Sequence, residues 1–406
     1  MKIQQFNPNK NLYLYIFPIL IFIPKIDIIN IPGYWQGIRF EDIFLSFYFL
    51  SFFALNNKKE IINKNFEFKP GLILFGYLIL SNWIAITNGS EVKIIMVIRL
   101  FEYIVLLYFI HNLKINKEDI YKLIVYYVFA NFIITTLQDN GLLGAISSKG
   151  YVDNSAIRSQ AVPGLSGGTW ELGILLTLSF FIIMKYTKNE IRDYFLFAPI
   201  IFYQIILTDS FTSLIATGFI FLLYFPNIFK KLIRKLDPRQ KLIIIFFIIL
   251  FHIIVFYFIG NFYERTIFTI TQFDYYNFTE ILKKFIFYLE IPVLQELDVS
   301  LYSLYHRLES WQIMFKIFFS DYFNILFGTG FTKFLYLDST YVRIITSFGL
   351  LGTFLILFFV INLNFYLLLY LIIISFSFDL FISFKIFLFF LILMKNFKEN
   401  KVDTKS

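Results

Sequence analysis

The sequence of 406 residues contains no cysteine, only 3 histidines and few charged residues. Without cysteine, the chain has no disulfide, no thiolate metal ligand and no cysteine nucleophile. So few histidines also argue against a histidine-rich metal centre. Charged residues make up 16% of the chain, whereas soluble proteins carry about 25%. This shortage of charge excludes an ordinary soluble protein.

Apolar residues dominate the rest of the sequence. They make up 58% of it, including 57 phenylalanines and 27 tyrosines. A membrane-spanning helix needs about 20 apolar residues. The pattern predicts an all-α, polytopic integral membrane protein with about twelve transmembrane helices. These helices would form a single domain over residues 1–406, and the last two apolar stretches are the shortest. The predicted spans are 12–24, 39–55, 71–87, 94–112, 119–137, 170–184, 194–208, 211–229, 242–260, 341–363, 364–377 and 379–394.

The net charge of +8 is explained by where the basic residues lie. Lysine and arginine collect in alternate connecting segments, for example Lys58 to Lys69, Lys230 to Lys241 and Lys395 to Lys405. Cytoplasmic loops of membrane proteins carry this excess. We therefore predict cytoplasmic N- and C-termini in a cell inner (cytoplasmic) membrane. The basic charge then reflects membrane orientation, and it does not indicate nucleic-acid binding.

Two segments on the predicted outer side are longer than a connection requires. They are a medium loop over 138–167 and a large loop over 260–340. Loops beyond about 12–15 residues are usually functional or disordered. In the large loop Trp311 and Phe315 follow Leu308 at helical spacing. We expect one or two amphipathic helices there, lying on the outer membrane surface.

The motifs of several enzyme classes are absent from the sequence. It has no phosphate-binding Gly-x-x-x-x-Gly-Lys-[Ser/Thr] loop and no His-Glu-x-x-His. It also lacks an Asp-x-Asp pair that would hold a divalent ion on a nucleotide sugar. Gly328-Thr329-Gly330 is too short a glycine pattern to indicate dinucleotide binding. The sequence therefore predicts no cofactor and no metal site.

The first candidate site residues are Arg158 in the medium loop and Glu171 at the start of the following span. Arg158 is a cation where the membrane orientation disfavours cations, and a guanidinium suits phosphate oxygens. Its simpler interpretation is a solvated loop arginine beside ordinary turn glycines. Arg99 and Glu102, three residues apart in the fourth span, are a candidate substrate-binding pair or a structural ion pair.

The large loop contributes the second set of candidates. Arg307 and Trp311 share a helical face, and His306 is next to them. A cation beside an aromatic ring suits a lipid phosphate or a sugar ring, although an interfacial helix with an anchoring tryptophan has the same pattern. Asp338 and Tyr341 lie near the mouth of the next span, where Asp338 is either a general base or a helix cap.

In their order along the chain, these segments resemble the O-antigen polymerase (Wzy) family, within the O-antigen polymerase/ligase superfamily of membrane glycosyltransferases. Two departures stand out. Phe211 occupies a position where the superfamily often has arginine, and Asp338-Ser339 stand where ligases are expected to have histidine, which favours a polymerase. The resemblance rests on Arg99…Glu102, Leu137-Gln138-Asp139-Asn140-Gly141-Leu142, Arg158, Leu207-Thr208-Asp209-Ser210, Arg307…Trp311…Phe327-Gly328-Thr329-Gly330 and Asp338-Ser339-Thr340-Tyr341…Gly349-Leu350-Leu351-Gly352.

The resemblance implies an enzyme that joins oligosaccharide repeat units carried on undecaprenyl diphosphate into O-antigen or capsular polysaccharide. It implies that Arg158 and Arg307 stabilise the departing diphosphate and that Glu171 or Asp338 accepts the proton of the attacking hydroxyl. The expected partners are the lipid-linked oligosaccharide, membrane lipid, a chain-length regulator and a flippase. Two alternatives remain open, an O-antigen ligase and a lipid-linked oligosaccharide flippase or transporter.

Overall fold

The computed structural model describes residues 16–29, 38–55, 68–146 except 93 and 114, 162–234 except 209, 278–291, 299–331, 339–360, 365–376, 378, 380 and 383–395. The described chain is mostly helical. The predicted span 242–260 lies outside the described residues.

The helices follow the apolar stretches of the sequence closely. Polar side chains begin several of them: Asn189, Asp321 and Ser383 accept hydrogen bonds from the backbone N–H groups of the first turn. The helices are α1 (16–22), α2 (Phe40–Leu55), α3 (Phe68–Thr87), α4 (Ile94–Asn112), α5 (Lys117–Asp139), α6 (Thr169–Tyr186), α7 (Glu190–Leu207), α8 (Phe211–Ile233), α9 (Phe278–Tyr288), α10 (Val299–Phe319), α11 (Tyr322–Phe327), α12 (Thr340–Val360), α13 (Phe365–Ile374) and α14 (Phe384–Met394).

Within the described residues, 4 helices are long and apolar enough to cross a membrane. They are Lys117–Asp139, Thr169–Tyr186, Thr212–Leu232 and Thr340–Phe358. Shorter apolar helices cover Ile73–Thr87, Phe365–Ile374 and Phe384–Met394. The chain is thus a mostly helical membrane protein, as its composition predicts. The number of about twelve spans and their orientation stay predictions.

A small β-hairpin departs from the all-helical expectation. Strand β1 (Asp27–Ile29) pairs antiparallel with β2 (Ile38–Arg39), so that Ile29 lies opposite Ile38. Isoleucine is β-branched and favours an extended backbone, which explains strands in so short a connection. Since α2 begins directly after β2, the hairpin sets the position of Arg39 at the start of that helix.

The chain forms two compact units. The first contains residues 1–79, 94–225 and 355–406, and the second contains residues 80–93 and 226–354.

Helix α6 lies at the centre of the first unit. Over an 18-residue stretch of α6, 83% of the residues are buried, against 33% over such a stretch of α5, so α6 is surrounded by protein. It packs against α5, α7 and α14. Its small residues allow close approach to α8, where Thr177 and Thr217 share a 2.6 Å hydrogen bond. Small and hydroxyl-bearing side chains are typical of such helix interfaces in membranes.

Helices α4, α6 and α14 of the first unit run in the same direction. At their C-terminal ends the ammonium of Lys395 donates hydrogen bonds to the carbonyls of His111 and Leu113, at 2.8 and 2.7 Å. The hydroxyl of Tyr186 donates to the Lys395 carbonyl at 2.7 Å. Their N-terminal ends therefore meet at the opposite end of the unit, where the charged residues Lys25, Glu171 and Lys385 lie.

Candidate functional site

The predicted site residues divide between the two units. Arg99, Glu102 and Glu171 belong to the first unit, and His306, Arg307, Trp311 and Tyr341 belong to the second. Arg158 and Asp338 lie outside the described residues.

Glu171 lies in the first turn of α6, where only 2% of its surface is exposed. One carboxylate oxygen accepts a hydrogen bond from the Gly167 N–H at 2.5 Å. The other accepts a hydrogen bond from the hydroxyl of Ser383, which also caps α14. Two lysines, Lys25 and Lys385, balance the negative charge. Glu171 is thus a buried anion held by two donors and two cations.

Lys25 is the cation that contacts this carboxylate from the connection between α1 and β1. A Cβ atom placed on Gly167 would lie 3.0 Å from the Lys25 ammonium and 2.7 Å from a Glu171 oxygen, so the glycine leaves room for both groups. Burial lowers the pKa of Lys25 to about 8, with Arg39 adding to the shift and Glu171 opposing it. The side chain is charged at neutral pH but close to its titration range.

Lys385 approaches from α14, and 5% of its surface is exposed. Its ammonium donates a 3.0 Å hydrogen bond to the carbonyl of Leu165. A lysine so deeply buried requires an anion and hydrogen-bond acceptors, and Glu171 and Leu165 supply them.

The segment 162–168 is held by several helices at once. The Val162 N–H donates to the Leu207 carbonyl of α7 at 3.1 Å. The Gly164 N–H donates to the Gln138 side chain at 2.9 Å, and the Leu165 N–H donates to the Asn131 side chain at 3.0 Å. Together with the bonds from Lys385 and to Glu171, these contacts fix the backbone of the segment that follows Arg158 in sequence.

Arg39, Glu41 and Arg99 form a second buried charged group in the same unit. Their exposed fractions are 2%, 4% and 4%. A terminal nitrogen of Arg39 lies 3.6 Å from a carboxylate oxygen of Glu41. Arg99 and Glu102 influence each other electrostatically, but they form no ion pair in the described structure, which differs from the pairing that their spacing permits. The side-chain geometry leaves the two groups apart although they are one helical turn from each other.

In the second unit the Gly328-Thr329-Gly330 turn packs against a break in α12. Gly349 has φ +69° and ψ −174°, values that interrupt the helix. A break frees carbonyls that an unbroken helix would use, and the turn binds two of them. The Thr329 N–H donates to the Thr346 carbonyl at 2.8 Å, and the Gly330 N–H donates to the Ser347 carbonyl at 3.0 Å.

Both glycine elements require glycine at their closest contacts. A Cβ atom on Gly328 would lie 2.2 Å from the Ser347 carbonyl oxygen, and one on Gly349 would lie 2.4 Å from the Leu326 carbonyl oxygen. The Ser81 hydroxyl of α3 donates to the Phe327 carbonyl at 2.5 Å. Broken helices are tolerated at membrane depth where neighbouring groups satisfy the backbone, and this turn supplies such groups.

A buried arginine lies six residues before this break. Only 1% of Arg343 is exposed, and its guanidinium carbon lies 5.4 Å from the centre of the Phe331 ring. Phe331 packs edge-on against Phe348, and its backbone N–H donates a 2.7 Å hydrogen bond to the side-chain oxygen of Asn82. A cation over an aromatic face is stabilised by the charge distribution of the ring.

Of the predicted residues of α10, His306 is exposed, whereas Arg307 and Trp311 are half-buried. The Nδ1 of His306 lies 3.1 Å from a Glu309 carboxylate oxygen. Trp311 packs against Phe285 of α9, and its indole N–H is buried without an acceptor among the described residues. Tyr341, also half-buried, lies in the first turn of α12.

Several charged residues of the first unit were not predicted as site residues. They are Lys25, Arg39, Glu41 and Lys385. The signal that singled out Arg158, a cation on the predicted outer side, could also have found some of these residues. They are cations on that side or inside an apolar stretch. Lys25 and Arg39 flank the first predicted outer connection, and Lys385 lies within the predicted span 379–394.

The described residues contain no group of three or more histidine or carboxylate side chains placed to hold a metal ion. Comparison with family models, with curated proteins and with solved structures found no match.

Proposed function

We propose that this protein is a membrane glycosyltransferase that polymerises oligosaccharide repeat units carried on undecaprenyl diphosphate, at the periplasmic face of the inner membrane. The observation that carries the proposal is a meeting of charged residues at one end of the first unit. Lys25, Arg39, Arg99 and Lys385 lie there with Glu171, next to the segment 162–168 that follows Arg158. A reaction that releases a diphosphate without a metal needs several cations.

In the proposed reaction a hydroxyl of the acceptor sugar attacks the anomeric carbon of the growing chain. The bond between that carbon and the diphosphate breaks, and polyprenyl diphosphate leaves with the electron pair. Arg158 and Arg307 stabilise the negative charge on the leaving group because a guanidinium presents two parallel donors to phosphate oxygens.

The proton of the acceptor hydroxyl requires a carboxylate that the acceptor can reach. Glu171 has only 2% of its surface exposed, and its oxygens are directed to Gly167 and Ser383. We therefore assign the proton-accepting role to Asp338 and give Glu171 a positioning role, in which it fixes segment 162–168 and so the approach of Arg158.

The glycan of a deletion strain complemented with variants tests this proposal. Loss of a polymerase leaves the lipid A core with at most one repeat unit, and Arg158→Ala or Arg307→Ala should reproduce that pattern at normal protein levels. Arg234→Ala, which removes an exposed arginine that forms no side-chain ion pair among the described residues, is the matched control and should restore long chains. Normal long-chain glycan in both Arg158→Ala and Arg307→Ala would refute the roles assigned to these arginines.

The break in α12 favours one alternative, a flippase or other transporter of lipid-linked oligosaccharides. Discontinuous helices often form substrate sites in transporters. The same deletion strain separates the candidates. Loss of a flippase leaves no repeat unit on the acceptor, loss of a polymerase leaves single units, and loss of a ligase leaves polymer on the lipid carrier.

A further inference from the structure

Arg99 is a buried cation that the described residues leave without a partner. It lies in the second turn of α4 with 4% of its surface exposed, and it forms no hydrogen bond or ion pair with any residue that the structure describes. One of its terminal nitrogens is completely buried and has no acceptor among those residues. Because a buried charge is stable only when it is paired and hydrogen-bonded, Arg99 requires an anion.

The charged group that affects Arg99 most is another cation, Arg39. Arg39 is also buried, with 2% of its surface exposed. Lys25 is a third cation within electrostatic range of both arginines. Like charges repel strongly where water is excluded. An anion that all three cations share would remove this repulsion and supply the acceptor that Arg99 lacks.

The nearby carboxylates do not provide that acceptor. Asp42 accepts a hydrogen bond from the backbone N–H of Arg39 at 2.8 Å. One oxygen of Glu41 lies 3.6 Å from Arg39, and its other oxygen is buried without a donor among the described residues. Glu102 is near Arg99 but forms no ion pair with it in the described structure. The guanidinium of Arg99 thus remains available to a ligand.

The surface beside Arg99 suits a ligand with a hydrocarbon chain. Ile98 and Phe101 lie three residues apart on one exposed face of α4, and 52% and 53% of their surfaces are exposed. In a membrane protein such apolar surface faces lipid. Arg99 faces the protein, so a lipid bound at this end of α4 would lay its hydrocarbon chain on the exposed face and reach Arg99 through its phosphate alone.

We propose that Arg99, with Arg39 and Lys25, binds the phosphate group of a lipid at the N-terminal end of α4. Phosphate oxygens match the planar fork of a guanidinium, and two arginines with a lysine are a common arrangement for phosphate recognition. The lipid is either polyprenyl diphosphate or an anionic phospholipid. Binding of polyprenyl diphosphate rests on the proposed function, whereas binding of an anionic phospholipid does not.

Native mass spectrometry of the purified full-length protein tests the proposal. The probes are a short-chain polyprenyl diphosphate, phosphatidylglycerol and a phosphate-free diacylglycerol of matched chain length. We expect both phosphate lipids to bind and the diacylglycerol not to bind. Arg99→Gln should weaken phosphate-lipid binding at least tenfold, Arg99→Lys should weaken it less, and Arg234→Gln, which alters an exposed arginine, should bind as the wild type does.

A thermal measurement controls for folding. Arg99→Gln removes a buried charge that has no partner, so without lipid it should unfold at the same temperature as the wild type or higher. Phosphate lipid should raise the midpoint of the wild type but not that of Arg99→Gln, since only a ligand that binds the folded state stabilises it. Equal lipid binding by the wild type and Arg99→Gln would overturn the proposal. In that case the acceptor for the buried nitrogen of Arg99 would be assigned to buried water.

The two sources separate in competition. Preferential retention of polyprenyl diphosphate would make the site part of the substrate path, and preferential retention of phosphatidylglycerol would make it a structural lipid site. Failure of the proposed function would give a different result. A deletion strain with unchanged glycan would refute the polymerase, but Arg99→Gln would still weaken lipid binding.

Discussion

Replacing Glu171 by glutamine should strongly destabilise the first unit. The substitution preserves size and leaves an oxygen that can still accept the Gly167 N–H, but it removes the negative charge between Lys25 and Lys385. The ammonium of Lys385 would keep only the Leu165 carbonyl as a partner. Leaving a buried charge uncompensated in this way costs about 3–5 kcal/mol. That is a large part of the roughly 5–15 kcal/mol that stabilises a typical fold.

A second substitution tests whether the loss arises from the unpaired lysine. Lys385→Met removes the ammonium but keeps an unbranched apolar side chain. In the double variant Glu171→Gln/Lys385→Met only Lys25 is left without the carboxylate. We therefore expect the double variant to be less destabilised than the sum of the two single variants, by about 0.5–3 kcal/mol as is usual for residues in contact.

The free energy of unfolding in mixed detergent micelles, followed by tryptophan fluorescence, measures these changes. The matched control is Glu118→Gln, because Glu118 also pairs with two lysines, Lys122 and Lys188, but at the surface. Exposed ion pairs contribute little to stability, so this control should unfold as the wild type does. If Glu171→Gln also unfolded as the wild type does, the argument that Glu171 is the counterion of two buried lysines would be refuted.

Two further predictions concern the backbone of α12 and the titration of Lys25. Gly349→Ala should destabilise the protein by more than the roughly 1–3 kcal/mol of backbone strain at such a conformation, since its Cβ atom would also meet the Leu326 carbonyl. Gly76→Ala, with open space around a helical glycine, should be neutral or stabilising, and equal unfolding of the two variants would contradict this. The folded-state pKa of Lys25, about 8, lies below its ordinary value of 10.5, so between these values the unfolded chain binds more protons and stability should rise with pH. Lys25→Met should show a smaller rise in unfolding experiments across the same pH range, and an identical pH dependence would exclude Lys25 as a source of it.

The positions of the helices follow from the sequence because the membrane imposes a simple rule. Each apolar stretch must form a helix in order to satisfy its backbone without water. The predicted spans 94–112 and 170–184 correspond to Ile94–Asn112 and Thr169–Tyr186. The hairpin around Ile29 and Ile38 was not predicted, since hydrophobic periodicity over two or three residues carries no signal. The break at Gly349 was not predicted either, because an isolated glycine is common within membrane helices.

For the candidate site, the sequence predicted which charges are unusual but not which groups they contact. Glu171 was recognised as a carboxylate at the entrance of an apolar stretch, and the structure adds that Ser383 and Lys385, more than 200 residues later, are its partners. No local pattern encodes a contact over such a separation. Arg99 and Glu102 show the opposite case, in which helical spacing permits an ion pair that the described structure does not form.

The sequence by itself determined that this protein is a helical membrane protein and where most of its described helices begin and end. Composition and the length of apolar stretches are sufficient for that, because the cost of exposing polar backbone to lipid depends only on local residues. The tertiary structure decided that the N-terminal ends of α4, α6 and α14 meet, and therefore that Glu171 offsets the charges of Lys25 and Lys385, while no described residue pairs with Arg99. These outcomes depend on packing between distant helices, and packing is a property of the whole fold.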